Sequence, residues 1–417
     1  MTAHRTPDPA ERDGADPVPL TRPAEGVPPV ITGLAELRAA AASFAAGTGP
    51  VAVDTERASG YRYSQRAYLI QLRRAGAGTV LVDPIPFDGD LTPLVTGLAG
   101  TEWVLHAASQ DLPCLAELDL RPASLFDTEL AGRLAGYDRV ALGTLVERLL
   151  GFQLEKGHGA ADWSQRPLPA DWLNYAALDV ELLIPLRDVL ERELAEAGKL
   201  EWALEEFEAV RMAQPPKPRQ EPWRRTSGIH RLRTPRQLAA VRALWQTRDL
   251  IARDRDLSPG RVLPDRAVIE AALVDPPDDV ELVKLPVFRG RAQRRLANTW
   301  AEALRSARGL PRTELPDPTP PHDGPPPPSR WADKDPDAAA RLATARASLT
   351  RIAGDFTLPV ENLLQPDLVR RTCWEPPATL DEATVVDVLR AGGARNWQIG
   401  LTAAALADAL HATASTG

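Results

Sequence analysis

Apolar and polar positions recur with two different periods along the first half of the chain, and the change of period divides it into elements. Leu34, Leu37, Ala40, Ala41 and Phe44 fall at helical spacing between Thr32 and about Gly47. Pro50 punctuates that run, and a short apolar strand, 51–55, follows it. Two further strands are predicted at Ala67–Leu72 and Thr79–Val82, joined by a Gly76-Ala77-Gly78 turn. Helical spacing returns over Leu91–Leu98. The short run Trp103–His106 reads as a buried strand. A helix is predicted from about Ser109 to Leu118, with Ser109 as its N-cap and Asp111 in its first turn. Ala123–Phe126 reads as a strand leading into a helix, Asp127–Leu134, and Leu142–Leu150 as another helix. The Gly- and Pro-containing loop 151–169 precedes one long helix, 170–196, and a further helix, 200–212. Strands interleaved with helices in this way predict an α/β or α+β domain with a mixed sheet.

Beyond residue 212 the period is helical throughout. A linker composition at 213–228, including Pro215-Pro216-Lys217-Pro218, separates the first domain (32–212) from a small helical bundle at 229–308. A proline-dominated segment, 309–335, predicts an extended connection to a second helical bundle at 336–417. The two bundles are alike in size and arginine use, which suggests a degenerate repeat. Residues 1–31, rich in Pro, Asp, Arg and Glu with no apolar signal core, predict a disordered tail.

Composition narrows the function classes. No apolar run approaches a membrane span. The two cysteines, Cys114 and Cys373, have no metal-ligand spacing and no framework, which suits a reducing cytoplasm. The net charge of −8 hides an asymmetry: roughly −12 over residues 32–210 and roughly +10 over 211–310. A basic region beside an acidic one suits a polyanion held by one and worked on by the other. The densest basic cluster is Arg224, Arg225, Arg231, Arg233 and Arg236.

The candidate chemistry starts at Val51-Ala52-Val53-Asp54-Thr55-Glu56. On a strand Asp54 and Glu56 share a face, and two such carboxylates repel unless a cation lies between them. A hard divalent metal is the simplest such cation, and a solvated strand end the plainer alternative. Further on stand His106-Ala-Ala-Ser-Gln-Asp111-Leu112, the loop Lys156-Gly157-His158…Asp162-Trp163-Ser164-Gln165-Arg166-Pro167-Leu168, and Tyr175-Ala-Ala-Leu-Asp179. Tyr175 and Asp179 are four apart and share a helix face. Taken alone, each of these has a structural reading: a first-turn acid, a half-buried tyrosine, a loop that holds its own shape.

In this order and spacing the motifs resemble the ribonuclease D family, 3′→5′ exonucleases of the superfamily named for four acidic residues plus a tyrosine. The resemblance covers about residues 33–210. Residues 229–308 are similar to the helical HRDC domain and 337–417 to the second such domain of ribonuclease D. It implies a ribonuclease H-like mixed sheet followed by two HRDC-like bundles. It also implies two divalent ions, Mg²⁺ or Mn²⁺, about 4 Å apart. Asp54 would touch both ions, Glu56 and Asp179 would complete the first site, and Asp111 would serve the second. Tyr175 would orient the attacking water, and nucleoside 5′-monophosphates would leave one at a time. The partner implied is RNA, tRNA precursors or other stable RNA, bound by a monomeric chain with no membrane. Lys156 and the arginine cluster are candidates for substrate phosphates. Gln71 and Asp162-Trp163 are expected to hold structure, and His106 to lie behind the site. Arg57 follows Glu56 where many members place an aromatic, and His158 occupies a variable loop; neither is expected to touch a proposed ligand. A DNA exonuclease and a catalytically silent nucleic-acid scaffold are the alternatives.

Overall fold

In the computed structural model, which describes residues 16–413 apart from 156, 216 and 320–323, the apolar run at Val51 lies at the centre of a six-stranded sheet. Strands β1 (Val18–Leu20) and β2 (Val30–Ile31) precede helix α1 (Leu34–Ala46). Strands β3 (Thr48–Arg57), β4 (Ala67–Ala75) and β5 (Gly78–Val82) follow, then α2 (Thr92–Gly97), β6 (Glu102–Leu105), α3 (Leu112–Ala116) and β7 (Ser124–Asp127). Helices α4 (Thr128–Ala135) and α5 (Leu142–Leu150), strand β8 (Phe152–Leu154) and helices α6 (Ala170–Glu181), α7 (Leu183–Glu196) and α8 (Leu200–Arg211) complete the domain. The sheet order is β2-β5-β4-β3-β6-β7. It is mixed as predicted: β3, β4 and β5 form an antiparallel meander, and β6 and β7 run parallel to β3. Val51, Ala52 and Val53 are fully buried, as a central strand covered on both faces requires. The carboxyl ends of β3 and β6 therefore emerge side by side, which brings the segment after His106 next to the Asp54-Thr55-Glu56 end of β3.

Several expectations are corrected. The tail expected to be disordered over 1–31 is ordered from residue 16 on, and residues 1–15 lie outside the described residues. β1 adds to β8 and β2 to the edge strand β5. The Ala24 N–H donates to Glu181 and the Asn174 amide to the Thr21 carbonyl, partners that a local reading of a Pro-rich stretch cannot supply. Pro50 does not end the helix region but lies inside β3, at the shift of register between Thr48↔Ala75 and Val51↔Arg74, where no ladder N–H is needed. The single helix expected over 170–196 breaks at Leu182, because Pro185 has no N–H to give the Glu181 carbonyl and its ring crowds it. Ser109 is no N-cap: it lies in a 3-10 turn, Ala108–Gln110, and Asp111 itself occupies the cap position of α3. The linker segments are anchored rather than extended throughout, since Trp223 and Trp331 are buried in short helical turns within them.

The two helical regions, alike in size and arginine use, pack differently. The first, built on helices Pro235–Asp254, Asp265–Val274 and Ala297–Gly309, has its own core around Leu244, Phe288 and Trp300. It is bonded to the loop that leaves β3. Asp256 accepts hydrogen bonds from the Tyr63 and Ser64 N–H groups at 3.1 and 2.9 Å. Ser258 donates from its N–H to the Tyr61 carbonyl at 2.9 Å and from its hydroxyl to the Gly60 carbonyl at 3.0 Å. Arg261 bonds the same Gly60 carbonyl and lies 4.0 Å over the Tyr61 ring. The second region shares one continuous core with the sheet domain. Trp202 and Trp397 stack at 5.1 Å, and Arg395 pairs with Glu206 at 2.8 Å.

Candidate active site

The alternation of β3 places Asp54 and Glu56 on one face, opposite Gln71 and Leu69 of β4. α6 crosses that face and delivers Asp179, with Tyr175 one turn earlier. Carboxylate oxygens of Asp54, Glu56 and Asp179 all lie within 4.8 Å of one another. Asp111 reaches the same cleft from the turn after β6. Its Oδ1 accepts a 2.6 Å hydrogen bond from the Thr55 hydroxyl, on the opposite face of β3 from Asp54 and Glu56. Asp54, Glu56, Asp111, Tyr175 and Asp179 thus line one cleft of about 500 Å³. All five residues proposed from the sequence come together here.

The electrostatics show why a cation belongs in it. Burial, reinforced by Asp111 and Asp179, holds the Asp54 carboxyl well above the usual carboxylate range. Burial and then Asp54 push Glu56 up to about 10. Burial raises Asp179 to about 7 against the hydrogen-bonding pull of Tyr175, and raises Asp111 to about 6 against the hydrogen bond from Thr55 and the charge of Arg57. Burial and the neighbouring carboxylates push the Tyr175 phenol above its ordinary range, so it stays protonated at neutral pH. Three crowded oxygen donors that cannot ionise together fit a hard divalent ion.

A sign follows for stability. The unfolded carboxyls ionise near 4, whereas the folded, ion-free cluster keeps protons through about 6 for Asp111 and about 7 for Asp179. The folded state then binds more protons, so these groups lower stability as pH rises through that window. A divalent ion displaces the protons and reverses the trend. Calorimetry in EDTA and in excess Mg²⁺ is expected to show a gain in Tm from the ion that grows between pH 5 and pH 8. A gain independent of pH would contradict ion binding at these carboxyls.

Around the site, some roles match expectation and some do not. His106, expected behind the site, is among the residues that line the cleft; its Nδ1 lies 2.9 Å from the Thr128 hydroxyl, and burial lowers its pKa to about 4. Trp163 is fully buried, and Arg166 grips Asp83 through Nε and Nη2 at 2.6 and 2.8 Å, so this motif holds the loop onto β4 and β5. One correction concerns a residue not expected to touch a ligand. The Arg57 guanidinium lies 3.9 Å from Asp111, because Arg57 shares the side of β3 that Thr55 turns towards β6. The His158 ring stands edge-on to Tyr175 at 5.8 Å. Lys156 lies outside the described residues. The arginine cluster divides. Arg224 pairs with Glu221 and bonds the Asp317 carbonyl, and Arg236 caps the carbonyls of Ala307, Arg308 and Leu310. Arg225, Arg231 and Arg233 are exposed.

Sequence reasoning missed Asp127. This buried carboxylate accepts from the N–H groups of Ala107 and Ala108 and, as the N-cap of α4, from Glu129 and Leu130. It holds a turn in which Ala107 has φ +59°, the turn that aims Asp111. The signal was the Asp-Thr-Glu sequence after a predicted strand, a cap pattern. Thr55 was passed over because it stood between two more conspicuous acids.

Comparison with known proteins agrees with this geometry. The 3'-5' exonuclease family model matches residues 29–195, the HRDC domain model residues 237–304, and a model for the 3' to 5' exonuclease C-terminal domain residues 324–410. Ribonuclease D of Acidiphilium cryptum is 34% identical over 69% of this chain and 74% of its own length. That of Gluconacetobacter diazotrophicus is 32% identical over 80% and 86%. A crystal structure of a protein from Bifidobacterium adolescentis superposes with a TM-score of 0.88 at 37% identity, over 95% of this chain and all of that one. The Escherichia coli RNase D structure, described as an exoribonuclease involved in structured RNA processing, superposes at 0.65 with 26% identity, over 92% and 98%. With its acidic cleft on a mixed sheet and its HRDC module, the chain belongs to the ribonuclease D family and is a divalent-metal-dependent 3′→5′ exonuclease.

Proposed function

We propose that the chain shortens RNA from its 3′ end, releasing nucleoside 5′-monophosphates, with two divalent ions in the cleft, and that it matures tRNA precursors or other stable RNA in the cytoplasm as a monomer. No helix among the described residues is long and apolar enough to cross a membrane. The observation that carries the reading is the convergence of Asp54, Glu56, Asp111 and Asp179 with Tyr175 on one cleft. Asp54, Glu56 and Asp179 would hold one ion and Asp111 the second. Bound there, such ions activate water and offset the charge that builds on phosphorus and on the leaving 3′ oxygen.

The chain's own groups do the rest. Tyr175, held protonated at neutral pH by burial and the neighbouring carboxylates, would orient the attacking water and not serve as its base. Thr55 fixes one oxygen of Asp111 and leaves the other for the cleft. Neutral His106 contributes no charge to it.

Degradation of matched RNA and DNA oligonucleotides in Mn²⁺, with mononucleotide products resolved, tests the reading; DNA degraded in preference to RNA would overturn it. The exposed arginines of the helical module are proposed to hold backbone phosphates without reading sequence. Reversing Arg225, Arg231 and Arg233 to Glu is expected to weaken binding of structured RNA and to flatten log K against log salt by about two units for a single strand. An unchanged salt slope would remove these residues from the interface.

A further inference from the structure

Arg57 closes the strand that carries Asp54 and Glu56. The ladder slips there: Glu56 lies opposite Leu69 and Arg57 opposite Ala67, leaving Tyr68 of β4 as the extra residue of a bulge. Bulges re-aim side chains at strand ends. The Arg57 side chain borders both the 500 Å³ cleft and a second cavity of about 270 Å³, which Ser59, Gly60 and Gly159 also line. Its side chain is 27% exposed, and the anionic oxygen nearest its guanidinium is Asp111 Oδ1, at 3.9 Å. That distance is an ion pair and not a hydrogen bond. Among the described residues the guanidinium has no hydrogen-bond partner. Arg166, by contrast, spends its donors on Asp83, Tyr68 and Trp163.

A planar fork of donors, half-buried and unengaged beside a cleft for a phosphodiester, matches two phosphate oxygens at once. Its charge also opposes a divalent ion on the other oxygen of the Asp111 carboxylate, since two cations cannot crowd one carboxylate without repulsion. We propose that Arg57 is a substrate-phosphate anchor of this enzyme, released from Asp111 when an ion arrives there and taken up by a phosphate of the RNA 3′ end. This rests on the reading that the cleft hydrolyses RNA. Ion and RNA then help each other bind: the ion frees the guanidinium, and the phosphate removes it from the ion's neighbourhood. Such coupling is reciprocal.

The test compares wild type, Arg57→Met and Arg57→Lys on a ribo-trinucleotide, with folding checked by circular dichroism. Mn²⁺ binding without RNA is followed by electron paramagnetic resonance. Arg57→Met is expected to raise KM about tenfold or more with a smaller change in kcat, and Arg57→Lys to recover part of the loss. Mn²⁺ binding to Arg57→Met without RNA is expected to be as tight as in wild type or tighter. An unchanged KM overturns the proposal. So does loss of Mn²⁺ binding together with the rise in KM, which would make Arg57 a prop for Asp111. A wild type that leaves the RNA intact sinks the underlying reading, whereas an active wild type with an indifferent Arg57→Met sinks only this one.

Discussion

Asp54→Asn is expected to lower kcat by roughly 10⁴-fold or more while making the ion-free protein more stable. Both effects have one cause. Asp54 stands at the end of a fully buried strand, pressed by Asp111 and Asp179, and its carboxyl is held far above its usual range. Asparagine keeps the shape, removes the ionisable oxygen pair and relieves the crowding. On the order of 2 kcal/mol of stability should be gained in EDTA at pH 8, and Mn²⁺ should not raise its Tm as it is expected to in wild type. Calorimetry with and without the ion, beside a single-turnover assay, separates the two effects. A less stable Asp54→Asn in EDTA would show that the cluster is not electrostatically frustrated.

Asp127→Ala is expected to have the largest effect on stability, about 3–5 kcal/mol. Four backbone donors lose their acceptor at once: Ala107 and Ala108 at 3.0 and 2.8 Å, Glu129 and Leu130 at 3.0 and 3.2 Å. Ala107 also loses the partner that stabilises its left-handed backbone. Because the same turn leads to Asp111, activity should fall in the protein that still folds, with a weaker apparent affinity for the metal. Asp127→Asn, with one acceptor oxygen and an amide facing N–H groups, should lie between. Urea unfolding checks the first expectation; a loss under 1 kcal/mol for Asp127→Ala would contradict it.

The sheet and the acids were legible for different reasons. The β3 run and the Asp54/Glu56 pair follow from a period of two, and Tyr175 with Asp179 from a spacing of four on α6. Asp111 was found by motif order, but its local setting was misread: it is not a first-turn acid behind a Ser109 cap, it is a carboxylate held by Thr55 from the neighbouring strand. That bond joins residues 56 apart, which no local pattern encodes. The same limit hid the strands at 18–20 and 30–31, whose partners are β8 and β5. The break before α7 was legible, since Pro185 stands in the sequence; helical periodicity continuing on both sides of it masked the stop. Trp331 marks the opposite error: composition announced a linker, and one large buried ring anchors it.

The loop from Gly60 to Ser64 leaves the catalytic strand and is at once stitched to the helical module through Asp256, Ser258 and Arg261. A joint made this way is a splint and not a swivel. A tilt of the module would pull on peptide groups a few residues beyond Glu56, so displacement at the periphery would reach the strand end that carries Asp54 and Glu56 instead of dying out in a slack tether.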